Sequence, residues 1–119
     1  MRHIAGNHMM SGTLLIEAFY DKTTFTFSYL LMDTASRAAA VIDSVLDFDA
    51  KSGRSRTDSA DRLRSRAKAL QADVQWHLET HVHADHLSAA PYLVRQLGGQ
   101  TAIGSAILQV QQVFGKLFN

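Results

Sequence analysis

Apolar residues recur with two different periods along this chain. Over residues 23–32, TTFTFSYLLM alternates Thr, Phe, Thr, Phe, Ser and Tyr, the period-2 pattern of a β-strand, in strand-favouring residue types. Residues 14–20 (LLIEAFY) are apolar and aromatic and predict a strand before it. Asp21-Lys22 between the two predicts a two-residue hairpin turn. Residues 33–37 (DTASR) predict a second turn, and residues 38–45 (AAAVIDSV) a buried third strand. The opening third therefore reads as an antiparallel meander.

The period then changes. Residues 47–57 (DFDAKSGRSRT) are polar, contain Gly53 and predict a loop. Ala60, Leu63, Ala67, Leu70 and Val74 recur on one helical face, which predicts a helix over residues 59–72. Asp58 or Ser59 can cap its start, and Asp61 in the first turn suits the helix dipole. Residues 74–80 (VQWHLET) return to strand chemistry, with Trp76 expected in the core and His77 as a structural histidine. A second helix is predicted over residues 88–97, with Pro91 in its first turn and Gly98-Gly99 ending it. Residues 100–104 predict a short strand and residues 105–117 a third helix. The order β-β-β-α-β-α-β-α is that of a mixed α/β unit without internal repeats.

Composition narrows the function classes. The 119 residues are 46% apolar and 19% charged, which excludes a disordered or fibrous chain. Twelve basic against eleven acidic residues argue against a protein built to neutralise phosphate. The locally basic stretch 51–68 has no interleaved aromatic residues and reads as a solvated face, so no nucleic-acid partner is expected. The chain has no cysteine, which removes thiol catalysis and cysteine metal sites. No apolar run reaches the 18 or so residues of a membrane helix, and the N-terminus lacks a signal peptide's apolar core. A cytoplasmic protein without a membrane partner is the expectation. Residues 1–12 read as a disordered extension or cloning remnant, and residues 13–119 as the domain. Ser28 and Ser44 are not nucleophile candidates, since neither sits in a G-x-S-x-G elbow.

Residues 81–86, HVHADH, hold the candidate chemistry. Four metal-capable side chains (His81, His83, Asp85 and His86) fall within six residues at the end of an apolar strand. His81 and His83, two apart, share a side at a strand end. Imidazole and carboxylate donors suit Fe(II) or Zn(II), as one ion or two. A cation held there would lower the pKa of its bound water to about 7.

The string ETHVHADHLSAAPYL resembles the metallo-β-lactamase superfamily, in particular its glyoxalase II and persulfide dioxygenase branch. VIDSVLDFD resembles a strand-and-loop segment of the same branch, and SGRSRTDSADRL is most similar to a bacterial β-lactamase-hydrolase-like subgroup. The resemblance implies an αββα sandwich, of which this chain would be the N-terminal half. In the binuclear hydrolases it implies His81 and His83 on one metal, with Asp85 and His86 on a second. In the dioxygenases it implies one iron, with His81 as the motif's ligand. Asp85 is the candidate catalytic residue, and Asp43 is expected behind the ligands, fixing an imidazole. The implied activity is metal-dependent chemistry on a glutathione-linked thiol, persulfide or thioester, leaning to persulfide oxidation over thioester hydrolysis.

The chain departs from that pattern downstream. Residues 87–119 contain no His, Asp, Glu or Cys, and all six histidines lie at or before position 86. A catalytic zinc site wants three protein ligands. A truncated domain is therefore expected, with a non-catalytic metal-binding or oligomerising fragment as the alternative. One sheet face would lack its cover, which predicts a homodimer through the exposed sheet or the C-terminal apolar stretch, or low stability.

Overall fold

The computed structural model describes residues 12–80 and 87–103. A five-stranded mixed sheet is built from β1 (Leu14–Asp21), β2 (Thr26–Asp33), β3 (Ala38–Ile42), β6 (Asp73–Glu79) and β8 (Gln100–Ile103), in that spatial order. The first three strands are the antiparallel meander that the alternation predicts. β3, β6 and β8 are parallel, connected through α1 (Asp58–Ala69) and α2 (Ala90–Leu97). A smaller sheet holds β4 (Val45–Asp49) between β5 (Arg54–Arg56) and β7 (Leu87–Ser88).

Both helices cover one face of the large sheet. Leu30, Met32, Ala39, Val41 and Val74 from the strands pack against Ala60, Leu63, Ala67 and Leu93 from the helices. Ala60, Leu63 and Ala67 bear out the predicted stripe. The helix ends at Ala69, not residue 72: Gln71 turns left-handed at φ 55°, and the Ala72 amide closes back on the Ala67 carbonyl. Val74 is core, but on β6. The opposite face carries Ile16, Tyr20 and Phe27, which are 56%, 44% and 50% exposed, with the Tyr20 and Phe27 rings in tilted contact, centroids 4.8 Å apart. Trp76 lies on this side of β6, packed with Ala40 and Leu78.

Four further expectations are corrected. The first hairpin is wider than two residues. Thr24 hydrogen-bonds to the Asp21 carboxylate through its amide (3.2 Å) and its hydroxyl (2.6 Å), Phe25 takes φ 56°, and β2 starts at Thr26. The third strand stops at Ile42, because Asp43 takes φ 54° and sends the chain into β4. The loop predicted over residues 47–57 contains the β4–β5 hairpin, closed at Gly53 (φ 70°) and paired Asp47 to Arg56 and Asp49 to Arg54. These cross-strand partners carry opposite charge, so a solvated ribbon forms without an apolar pattern. Ser88 belongs to β7, and its hydroxyl accepts the Ala90 amide ahead of α2 (3.0 Å). The third helix and the N-terminal extension fall outside the described residues, apart from Gly12.

Candidate metal centre

The parallel strands all end at one edge of the large sheet: Ile42 pairs beside Leu78, and Glu79 beside Ile103. Carboxyl ends of parallel strands are where open α/β sheets place their ligands. Here two stretches of chain pass from the large sheet to the small one. The first runs from Ile42 through Asp43 and Ser44 to Val45 on β4. The second runs from Glu79 on β6 to Leu87 on β7, and HVHADH is its middle. β7 pairs with β4 through Val45–Ser88 and Leu46–Leu87, and the Ser44 carbonyl accepts the Ala89 amide at 3.3 Å. Glu79 and Leu87, on either side of this stretch, are thus held by ladder pairing.

Asp43 ties the two crossings together. It is 8% exposed and left-handed, a conformation Asp tolerates better than most residues. Its amide donates to the Leu78 carbonyl (2.8 Å), which extends the β3–β6 pairing one residue further. Its carbonyl accepts the Ser28 hydroxyl (2.6 Å). Its carboxylate takes both donors of Thr80, the amide on Oδ1 and the hydroxyl on Oδ2, each at 2.9 Å. Thr80 is the residue before His81. Asp43 therefore fixes the backbone of Thr80, the residue that leads into the motif.

His81, His83, Asp85 and His86 lie outside the described residues, as does any contact that Asp43 makes with an imidazole. Among the described residues no three His, Cys, Asp or Glu side chains gather into a metal-binding group. The fit to a metal rests on the donor set. Three imidazoles and one carboxylate in six residues are borderline donors of the kind that hold Zn(II) or Fe(II). They join two anchored strand ends at the edge where the sheets meet.

His77 stays outside this set. It is buried on β6, and its Nε2–H donates to the Gly98 carbonyl at 2.8 Å. Burial lowers its pKa below the usual histidine value, and the Gly98 bond pushes weakly the other way. Its Nδ1 is buried without a hydrogen-bond partner among the described residues.

Three of the seven basic residues in the stretch 51–68 pair with nearby acids. Arg66 makes a two-pronged pair with Glu17 on β1, at 2.8 and 2.5 Å, which holds the Glu17 carboxyl below its usual range. Arg64 and Arg56 face Asp61 and Asp58. The Tyr92 hydroxyl donates to Asp61 at 2.6 Å and is the main cause of that carboxyl's lowered pKa. Sequence reasoning missed two supports: Ser28, and Asp47, whose carboxylate caps α1 by accepting the Ser59 amide (2.8 Å) and hydroxyl (2.7 Å). A polar residue in the apolar run of β2 was the available signal for Ser28.

No family model matches the sequence. The chain is 61% identical over 106 residues to a probable metallo-hydrolase of Burkholderia pseudomallei, an alignment covering 89% of the chain and 36% of that relative. It is 38% identical over 111 residues to glyoxylase B2 of Dictyostelium discoideum, covering 92% of the chain and 38% of the relative. It is 30% identical over 98 residues to the mitochondrial persulfide dioxygenase ETHE1 of Homo sapiens, covering 82% and 34%. Among solved structures, ETHE1 from Myxococcus xanthus superposes with a TM-score of 0.61 at 28% identity, covering 73% of the chain and 34% of that protein. The chain spans about a third of the length of these relatives.

Proposed function

The chain belongs to the metallo-β-lactamase superfamily and spans part of its fold, and from that premise we propose that residues 81–86 hold iron(II) or zinc(II) for chemistry on a glutathione-linked sulfur substrate. The observation that carries this reading is the anchoring of Thr80, the residue before HVHADH: Asp43 holds it at two atoms at the carboxyl edge of the sheet's parallel strands. Ligands that must meet one ion within a few tenths of an ångström need such a frame.

His81, His83, Asp85 and His86 would hold the ion or ions, with His81 the first ligand to test. Bound iron(II) or zinc(II) would supply a Lewis acid for the sulfur or carbonyl group, and iron also a site for O₂. Asp85, the hexapeptide's one carboxylate, is also the candidate catalytic residue. Asp43 and Thr80 orient the strand end. The preferred reaction is oxidation of glutathione persulfide, which the names of the human relative and the Myxococcus structure support. Hydrolysis of a glutathione thioester is the rival, supported by the glyoxylase and metallo-hydrolase names. Glutathione substrates suit a reducing compartment such as the cytoplasm. A second copy of the chain pairing through the open sheet face would make a homodimer.

The test loads the chain separately with iron(II) and zinc(II). It follows O₂ consumption with glutathione persulfide and thiol release from an acylglutathione. O₂ uptake with iron supports the dioxygenase reading, and thiol release with zinc the hydrolase. Metal binding with neither turnover identifies a non-catalytic metal-binding fragment.

A further inference from the structure

We propose that Ser28, on a strand that contributes nothing to the motif, is a positioning residue for the hexapeptide; the proposal rests on the metal-site reading above. Ser28 is 4% exposed and sits on the helix-covered face of β2, in line with Leu30 and Met32. A hydroxyl in such a row costs stability unless it is hydrogen-bonded. Its partner is the Asp43 carbonyl, at 2.6 Å.

The geometry explains why a side chain does this work. The β2–β3 ladder ends at Tyr29–Ile42, and the next pair would be Ser28 with Asp43. Asp43 leaves the strand at φ 54°, so ladder pairing stops there. The Ser28 hydroxyl holds the departing carbonyl while Leu78 holds the amide of the same residue. A left-handed non-glycine residue persists only where its surroundings over-determine it. With the Asp43 backbone fixed at both groups, its carboxylate points at the Thr80 amide and hydroxyl. The chain of restraint runs from Ser28 through Asp43 to Thr80, and His81 follows by covalent connection.

The experiment compares the full chain with Ser28→Ala and Ser28→Thr, and uses Ser36→Ala as a control. Ser36 makes a similar local bond, to Asp33 at 2.6 Å, in the β2–β3 turn. Cobalt(II) titration followed by visible absorption reads metal affinity. Amide hydrogen exchange reads Thr80, and thermal unfolding of metal-free protein reads stability. Ser28→Ala is expected to weaken cobalt binding by roughly 10- to 100-fold, the usual effect of losing an outer support, and to speed Thr80 exchange. Ser28→Thr, which keeps the hydroxyl, is expected to restore both. Ser36→Ala is expected to lower stability without changing cobalt affinity. Should Ser28→Ala fail to fold, Ser28→Cys keeps the shape with a weaker donor and is expected to fall between. Cobalt affinity and Thr80 exchange equal to wild type in the Ala or Cys variant would overturn the proposal. A wild-type chain that binds no cobalt would overturn the metal-site reading itself, and this proposal with it.

Discussion

The carboxylate of Asp43 holds Thr80 at two atoms, its amide and its hydroxyl, each 2.9 Å away, across 37 residues of sequence. That contact joins the end of β3 to the end of β6, at the point where the chain enters HVHADH. Asp43→Ala removes both acceptors from a buried site and is expected to cost about 2–3 kcal/mol. Asp43→Asn can still accept the Thr80 amide and donate to its hydroxyl, and is expected to cost about 1 kcal/mol or less. Urea unfolding of the two variants checks the order. Equal losses would mean that the carboxylate's geometry does not matter.

Asp47 caps α1 from a neighbouring strand, since its carboxylate accepts both donors of Ser59. Asp47→Ala is expected to cost about 1 kcal/mol, as helix caps do. Faster amide exchange confined to the first turn of α1 would accompany it.

His77 predicts a pH dependence. Its pKa in the folded chain is lowered by burial, so the unfolded chain binds the proton more readily. Its neutral form is fully compatible with the fold above the unfolded histidine value of about 6.5. Stability is expected to fall as pH drops below that value, towards the lowered folded pKa. Urea midpoints between neutral and mildly acidic pH check this. His77→Gln, which keeps a donor for the Gly98 carbonyl, is expected to flatten that part of the curve.

Gly99 sits at φ 95°, and a Cβ there would lie 2.8 Å from the Val74 carbonyl. Gly99→Ala is expected to destabilise by about 1–3 kcal/mol through strain and forced displacement of β6. Gly98, at φ 77° with open space around it, is expected to cost less on the same substitution. Thermal unfolding of the pair separates backbone strain from crowding.

The parts of this fold legible in sequence are those whose partners repeat at short range. The Thr-Phe alternation of β2, the Ala60–Leu63–Ala67 stripe of α1, and Pro91 with Gly98-Gly99 around α2 each carry a local physical signal. The β4–β5 hairpin was hidden because its pairing rests on Asp and Arg rather than on apolar alternation. The stop at Asp43 was hidden because a left-handed Asp has no signature of its own. The cap from Asp47 and the Ser28 bond reach across 12 and 15 residues, beyond any local pattern. For the site, the donor types could be read directly from HVHADH, and Asp43 through resemblance alone. That Asp43 grips Thr80 required the parallel pairing of β3 with β6.

The measurement that most directly tests the central claim is metal content per chain by elemental analysis, on wild type and His81→Ala, after equal exposure to iron(II) or zinc(II) and removal of loose ions. The account predicts about one or two tightly held ions per wild-type chain, lost or sharply reduced in the variant. A wild-type chain that retains no metal, or a His81→Ala chain that retains as much, would contradict it.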